Sequence, residues 1–160
     1  MFPTVKEELR QFIINPVFLA CICSWFCAQF LKTIFALCYG RIHSMSELFE
    51  MMFWRTGGLP SSHSAMVSAL CTTIGFRSGI NSDTFVLALC FFLVTIRDAL
   101  GVRRASGIQA RKLNEIGRKL DSDGILEYKP MKEVQGHSPF EVFVGCLLGI
   151  SIGIAFSLLK

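Results

Sequence analysis

The sequence has 160 residues, of which 52% are hydrophobic and only 18% charged, and it includes fifteen phenylalanines. Soluble domains carry about a quarter charged residues, so with a mean hydropathy of +0.50 the composition is that of an integral membrane protein. The length suits one membrane-embedded domain, 1–160, and a net charge of only +4 argues against a nucleic-acid-binding role.

Residues 4–14 read as a short amphipathic helix, with Thr4 as N-cap and Glu7 at the capping-box position. Val5, Leu9, Phe12 and Ile13 form its apolar face, so residues 1–15 are expected to lie at the membrane interface. The start lacks a basic region leading directly into an apolar run and an Ala-x-Ala site. The first apolar segment is therefore expected to remain as an anchor. That segment, Pro16 to Tyr39, exceeds the roughly 20 residues needed to cross the hydrocarbon core. It carries Gln29 and Lys32 on one face. A lysine at bilayer centre costs about 2.5–3.5 kcal/mol on insertion scales, which marks Lys32 as a functional candidate. The alternative is a lysine that snorkels to the interface.

Residues 41–59 form a polar-to-mixed connection in which Ser46–Phe53 suits a surface helix and His43 a solvated loop. Pro60 is expected in the first turn of a second apolar helix reaching Phe76, with Ser61, Ser62, His63 and Ser64 around its N-terminus. A third helix is expected from Asp83, as N-cap, through Leu100, carrying Arg97 and Asp98 with it. Residues 101–136 form a basic connection. Pro139 to Leu159 is a further span, in which Gly145, Gly149 and Gly153 recur every four residues and admit a close helix neighbour. The expected fold is all-α: a small integral-membrane bundle of about four spanning helices plus short interfacial helices. Four crossings put both polar connections on one side of the membrane. The basic bias makes that side cytoplasmic, in a plasma (inner) membrane with both termini outside. Self-association into a homo-oligomer stays open.

Three clusters carry chemistry. The first is Gly57-Gly-Leu-Pro-Ser-Ser-His63-Ser-Ala, where free backbone N–H groups and a helix dipole attract anions. The second runs from Asp98 through Arg103, Arg104 and Gln109 to Arg111; its guanidiniums suit phosphate oxygens, or else anchor lipid head groups. The third is His137-Ser-Pro-Phe-Glu141, whose spacing can set a carboxylate against an imidazole and so fix its tautomer. A helix-capping histidine beside an exposed glutamate is the simpler reading of the third. Together, two histidines and several cations without a metal-ligand set form the inventory for phosphoryl transfer through a phosphohistidine. The seven cysteines sit mostly in apolar runs without a Cys-x-x-Cys pair, and read as small buried side chains. No cofactor is called for.

These three ordered motifs, with Gln29-x-x-Lys32, resemble the divergent relatives of the type 2 phosphatidic acid phosphatases, a group also described as acid phosphatase and vanadium-dependent haloperoxidase-related. The resemblance runs from about Asn15 to Lys160. It implies an all-helical membrane protein with a metal-independent phosphatase site. In the parent superfamily a Pro-Ser-Gly-His motif supplies the leaving-group acid, and a later His-x-x-x-Asp supplies the nucleophile. Carried across, His63 is the acid, His137 the nucleophile, Glu141 the supporting carboxylate and Lys32 the phosphate-binding lysine. Ser62 replaces the glycine of the second motif. The parent's Lys-x6-Arg-Pro pattern is absent, since Tyr39 and Gly40 stand in its place, and Met131 occupies the position of the arginine six residues before the nucleophile. The phosphate clamp is then expected from Arg103, Arg104 and Arg111, with Asp98 or Gln109 orienting a guanidinium. The implied substrate is a membrane lipid phosphate such as phosphatidic acid, phosphatidylglycerophosphate or a polyprenyl diphosphate. A non-catalytic protein that binds or transports lipid phosphates is the alternative. Haloperoxidase-like oxidation on bound vanadate suits this composition less well.

Overall fold

A computed structural model describes residues 4–40, 44–53, 58–131, 133 and 136–158. Their regular structure is helical: α1 (Val5–Ile13), α2 (Pro16–Cys38), α3 (Met45–Phe53), α4 (Ser62–Ser78), α5 (Asp83–Leu100), α6 (Val102–Ser122) and α7 (Pro139–Leu158). His43 lies outside the described residues, as does Gly57 of the first motif.

Local chemistry sets most helix starts. The Thr4 N–H donates to Glu7 Oε2 at 3.0 Å, completing the expected capping box of α1. Asn15 Oδ1 accepts the Val17 N–H at 2.8 Å, and Pro16 takes the first position of α2, where no N–H is needed. α4 begins two residues later than expected: Ser61 is its N-cap and accepts the Ser64 N–H at 3.4 Å. Pro60 precedes the cap, joined to Leu59 by a cis peptide bond. Ser82 rather than Asp83 caps α5, accepting the Phe85 N–H at 3.2 Å.

α2, α5 and α7 are long and apolar enough to cross a membrane. α4, with 17 residues, measures about 26 Å. It is the shorter central helix of the bundle, packed against α2, α5 and α7. Its hydroxyls face other helices and stay satisfied, as when Thr73 Oγ1 donates to the Ala69 carbonyl at 2.7 Å. Ser68 is the exception: among the described residues its buried Oγ has no hydrogen-bond partner.

The core is built from small side chains. A Cβ on Gly145 would stand 2.5 Å from the Ser61 carbonyl oxygen, one on Gly149 would run into the Ala65 carbonyl, and one on Gly153 would lie 3.0 Å from that of Ala69. Both series advance by four in the same direction, so α4 and α7 run parallel, with the glycines letting their backbones touch. α2 adds a second stripe at the same spacing: Ala20, Ser24, Ala28, Lys32 and Ala36 are all buried. Large residues are pushed outward, and Phe26, Phe30, Phe91 and Phe143 are exposed, where lipid tails can solvate them. A turn over 79–82, with Gly79 at φ +85°, folds α5 back along α4. This returns Arg97 and Asp98 to the end where α4 begins.

The basic connection proves to be largely helical. α6 follows α5 after Gly101, whose N–H still donates to the Arg97 carbonyl at 2.9 Å. Beyond Gly124 the chain turns back along α6, and Asn114 holds it there. Asn114 Oδ1 accepts the Tyr128 hydroxyl at 2.6 Å and the Met131 N–H at 3.0 Å. Its Nδ2 donates to the Met131 carbonyl at 3.0 Å and to Glu133 Oε1 at 2.9 Å. The Tyr128 ring lies over Gly117, where a Cβ would come within 2.5 Å of it. Glu133 also meets Arg111 at 3.5 Å and Arg118 at 3.9 Å. Chiefly the Asn114 hydrogen bond, and then Arg111, hold the Glu133 carboxyl below its ordinary pKa of 4.5.

Two outcomes follow. Gly149→Ala should destabilise the bundle by about 1–3 kcal/mol through overpacking, whereas Ser68→Ala, which removes an unsatisfied hydroxyl, should leave thermal stability unchanged or raised; detergent-solubilised melting temperatures compare the two. For the return segment, a depressed carboxyl stabilises docking above its undocked pKa and loses that contribution as pH falls through the docked value. Protection factors over residues 125–131, measured against intrinsic exchange rates, should therefore fall on acidification below about 4.5, and Asn114→Ala should lower them already at neutral pH.

Candidate functional site

Three helix ends meet where α4 and α7 begin. α2 brings Gln29 and Lys32, each only 4% exposed, within its last three turns. Lys32 Nζ donates to Gln29 Oε1 at 2.9 Å. Gln29 lies one turn further from the near end of α2, so the ammonium turns inward rather than snorkelling out. Thr33 Oγ1 donates to the Gln29 carbonyl at 2.9 Å. Gly58 covers the lysine stem: at φ +94° its Cβ position would lie 3.5 Å from Lys32 Cγ. A non-glycine residue there would be strained by the positive φ.

α7 supplies the carboxylate, and the segment just before it supplies an imidazole. Ser138 precedes Pro139, and its N–H donates to Glu141 Oε2 at 3.0 Å, while the Glu141 N–H donates to Ser138 Oγ at 3.3 Å. This reciprocal pair is a capping box. The same Glu141 Oε2 lies 3.3 Å from His137 Nδ1, and His137 is 7% exposed. One carboxylate thus caps the helix and orients the ring. With Nδ1 as the hydrogen-bearing nitrogen, Nε2 carries the lone pair.

The two helix starts are tied directly. The Ser61 N–H donates to the Glu141 backbone carbonyl at 3.0 Å, and Gly145, one turn into α7, lies under Ser61. Ser64 Oγ donates to Ser61 Oγ at 2.9 Å, and Ser61, Ser62 and Ser64 are buried. His63, half-buried, stands in the first turn of α4 just past this tie. The Glu141 charge acts on Lys32 across the α2–α7 contact. The positive ends of two helix dipoles and one buried ammonium therefore share one end of the bundle.

The second cluster is placed differently. Asp98 is half-buried in the last turn of α5. Arg103 and Arg104 occupy the first turn of α6, next to the end of α5; their side chains lie outside the described residues. Arg111 is exposed and pairs with Glu133, so it serves the return segment. The structure pairs Lys32 with Gln29 and His137 with Glu141, ties the start of α4, where Ser62 and His63 lie, to Glu141, and pairs Arg111 with Glu133 instead. From sequence, Ser61 is placed only at a helix start, and Gly58 and Ser138 carry no role of their own. Ser138-x-x-Glu141 was readable as a capping-box pattern; the backbone tie from Ser61 to Glu141 had no local signal.

The chain is 38% identical over 113 residues to YuiD, an uncharacterized membrane protein of Bacillus subtilis (strain 168), covering 64% of this chain and 72% of that one. No solved structure is significantly similar. The profile of the Divergent PAP2 family matches residues 13–152, a stretch that contains both helix starts, Lys32 and the arginine cluster. This chain is a member of the Divergent PAP2 family.

Proposed function

We propose that the chain is a metal-independent lipid phosphate phosphatase that works through a phosphohistidine. The observation that carries this reading is the tie between the two helix starts: the Ser61 N–H on the Glu141 carbonyl at 3.0 Å sets the turn of His63 beside the His137–Glu141 pair. Lys32 supplies a cation at the same end.

In the proposed reaction a phosphomonoester or diphosphate of a membrane lipid places its phosphoryl group between the two helix N-termini. His137 Nε2 attacks phosphorus, and the bond to the leaving oxygen breaks. His63, protonated, gives its proton to that oxygen. Glu141 holds the Nδ1–H and stabilises the positive charge that develops on the ring. Lys32 and the backbone N–H groups at the start of α4 face the equatorial oxygens. Water then attacks the phosphohistidine with His63 as base, releasing inorganic phosphate and restoring Nε2. A site at the membrane-facing end of a helical bundle suits a substrate whose acyl or prenyl tail stays in the bilayer. We place it in the plasma (inner) membrane with the site on the cytoplasmic side, following the basic residues of α6 and its flanks.

A second reading, a protein that binds or carries lipid phosphates without turnover, is favoured by one observation: Arg111 and Arg118, both on α6, are engaged with Glu133. Phosphate release decides between them. Purified protein in vesicles, with chelator present, should release phosphate from phosphatidic acid, phosphatidylglycerophosphate or a polyprenyl diphosphate. His137→Ala should reduce the rate to background, His63→Gln should lower it about 10²–10⁴-fold, and Lys32→Met about 10²–10³-fold. Full activity in His137→Ala would overturn the assignment of the nucleophile. Binding without release by the intact protein would favour the second reading.

A further inference from the structure

α6 is amphipathic, and the return segment covers the wrong side of it for a soluble hairpin. Val102, Ala105, Gln109, Leu113, Ile116 and Leu120 follow one another at three- and four-residue steps and form a single stripe, apolar at every position but Gln109. Asn114 and Gly117, which grip the return segment, lie to one side of that stripe. The stripe is left bare, with Val102 65%, Leu113 51% and Ile116 55% exposed. Among the described elements α6 packs only against α5, so the bundle does not cover the stripe either. Ile125 and Leu126, where the chain turns back, are exposed as well.

We propose that this stripe lies in the headgroup layer of the same membrane the spans cross, on a leaflet rich in anionic lipid. Two features favour that occupant. The first is continuity: helical bonding carries through Gly101, where the Gly101 N–H donates to Arg97 and the Ala105 N–H to Gly101, both at 2.9 Å. α6 therefore starts within a turn of the end of a membrane span. The second is charge: α6 holds Arg103, Arg104, Arg111, Lys112, Arg118 and Lys119 against only Glu115 and Asp121. Lys112 and Lys119 flank the stripe on its open side, where their stems can lie along apolar surface while their ammonium groups reach phosphate. A second copy of α6 packed on the stripe would set these lysine rows against each other. Anionic lipid instead attracts them by about 1 kcal/mol per residue.

The test uses the full chain in vesicles, with a benzophenone amino acid placed at Leu113 or Ile116 and, off the stripe beyond the lysine flank, at Glu115, which Lys112 meets at 2.8 Å. Positions 113 and 116 should form adducts with lipid and position 115 few. The yield at 113 should rise when phosphatidylglycerol is added to phosphatidylcholine. Lys112→Glu with Lys119→Glu should cut it by at least about fivefold, the equivalent of the attraction of a single lysine. Adducts between two copies of the chain, lipid yields at 113 no higher than at 115, or yields indifferent to phosphatidylglycerol would each overturn the proposal. None of these readouts depends on turnover, so they stand or fall apart from the proposed phosphatase activity.

Discussion

The close approach of α4 and α7 governs the rest of the molecule. Because Gly145, Gly149 and Gly153 carry no Cβ, the backbone of α7 lies directly on Ser61, Ala65 and Ala69. In a membrane, where burying apolar surface gives little preference for one helix neighbour over another, contact of this kind is what holds helices together. The parallel direction of the pair then puts both N-termini at one end. Two positive dipole ends side by side repel each other and call for an anion or a carboxylate nearby. Glu141 supplies the carboxylate within the protein.

Glu141 consequently has several tasks on few atoms. Its side chain completes the Ser138 capping box and faces His137 Nδ1, while its backbone carbonyl receives the Ser61 N–H. Architecture and imidazole orientation are thus inseparable at this residue, and a change there alters both. Lys32 is less entangled. Its hydrogen-bond partner Gln29 is neutral, and the negative charge that acts on it from within the protein is that of Glu141, across the α2–α7 contact. Burying such a group is costly unless something negative comes to it, which makes the Lys32 position hard to explain as architecture alone.

Much of this was legible in the sequence because it depends on short-range patterns. Apolar run lengths marked α2, α5 and α7, and Thr4–Glu7 and Pro16 marked two helix starts. Gly145, Gly149 and Gly153 announced a close helix contact without naming the partner. Pro60 misled by two residues because Ser61 is the better cap once the chain must also reach Glu141. The hydroxyl-rich face of α4 is tolerated because α2, α5 and α7 pack around it. The helical nature of 102–122 was hidden by its charge, although its stripe had the right period. The role of Asn114 was out of reach, since its partners stand 14 to 19 residues away. Hydropathy likewise could not tell that Lys32 turns inward, because that depends on Gln29 and on the glycine lying over it.

The account rests on His137, held by Glu141, being the atom-level partner of the phosphoryl group. Rapid quenching of the protein into base during exposure to a ³²P-labelled lipid phosphate, followed by mapping of the labelled peptide, tests this most directly. The account predicts an acid-labile phosphoryl group on His137, lost in His137→Ala and accumulating in a variant at His63, where the water step loses its base. Phosphate release with no labelled histidine, or with the label on His63, would contradict it.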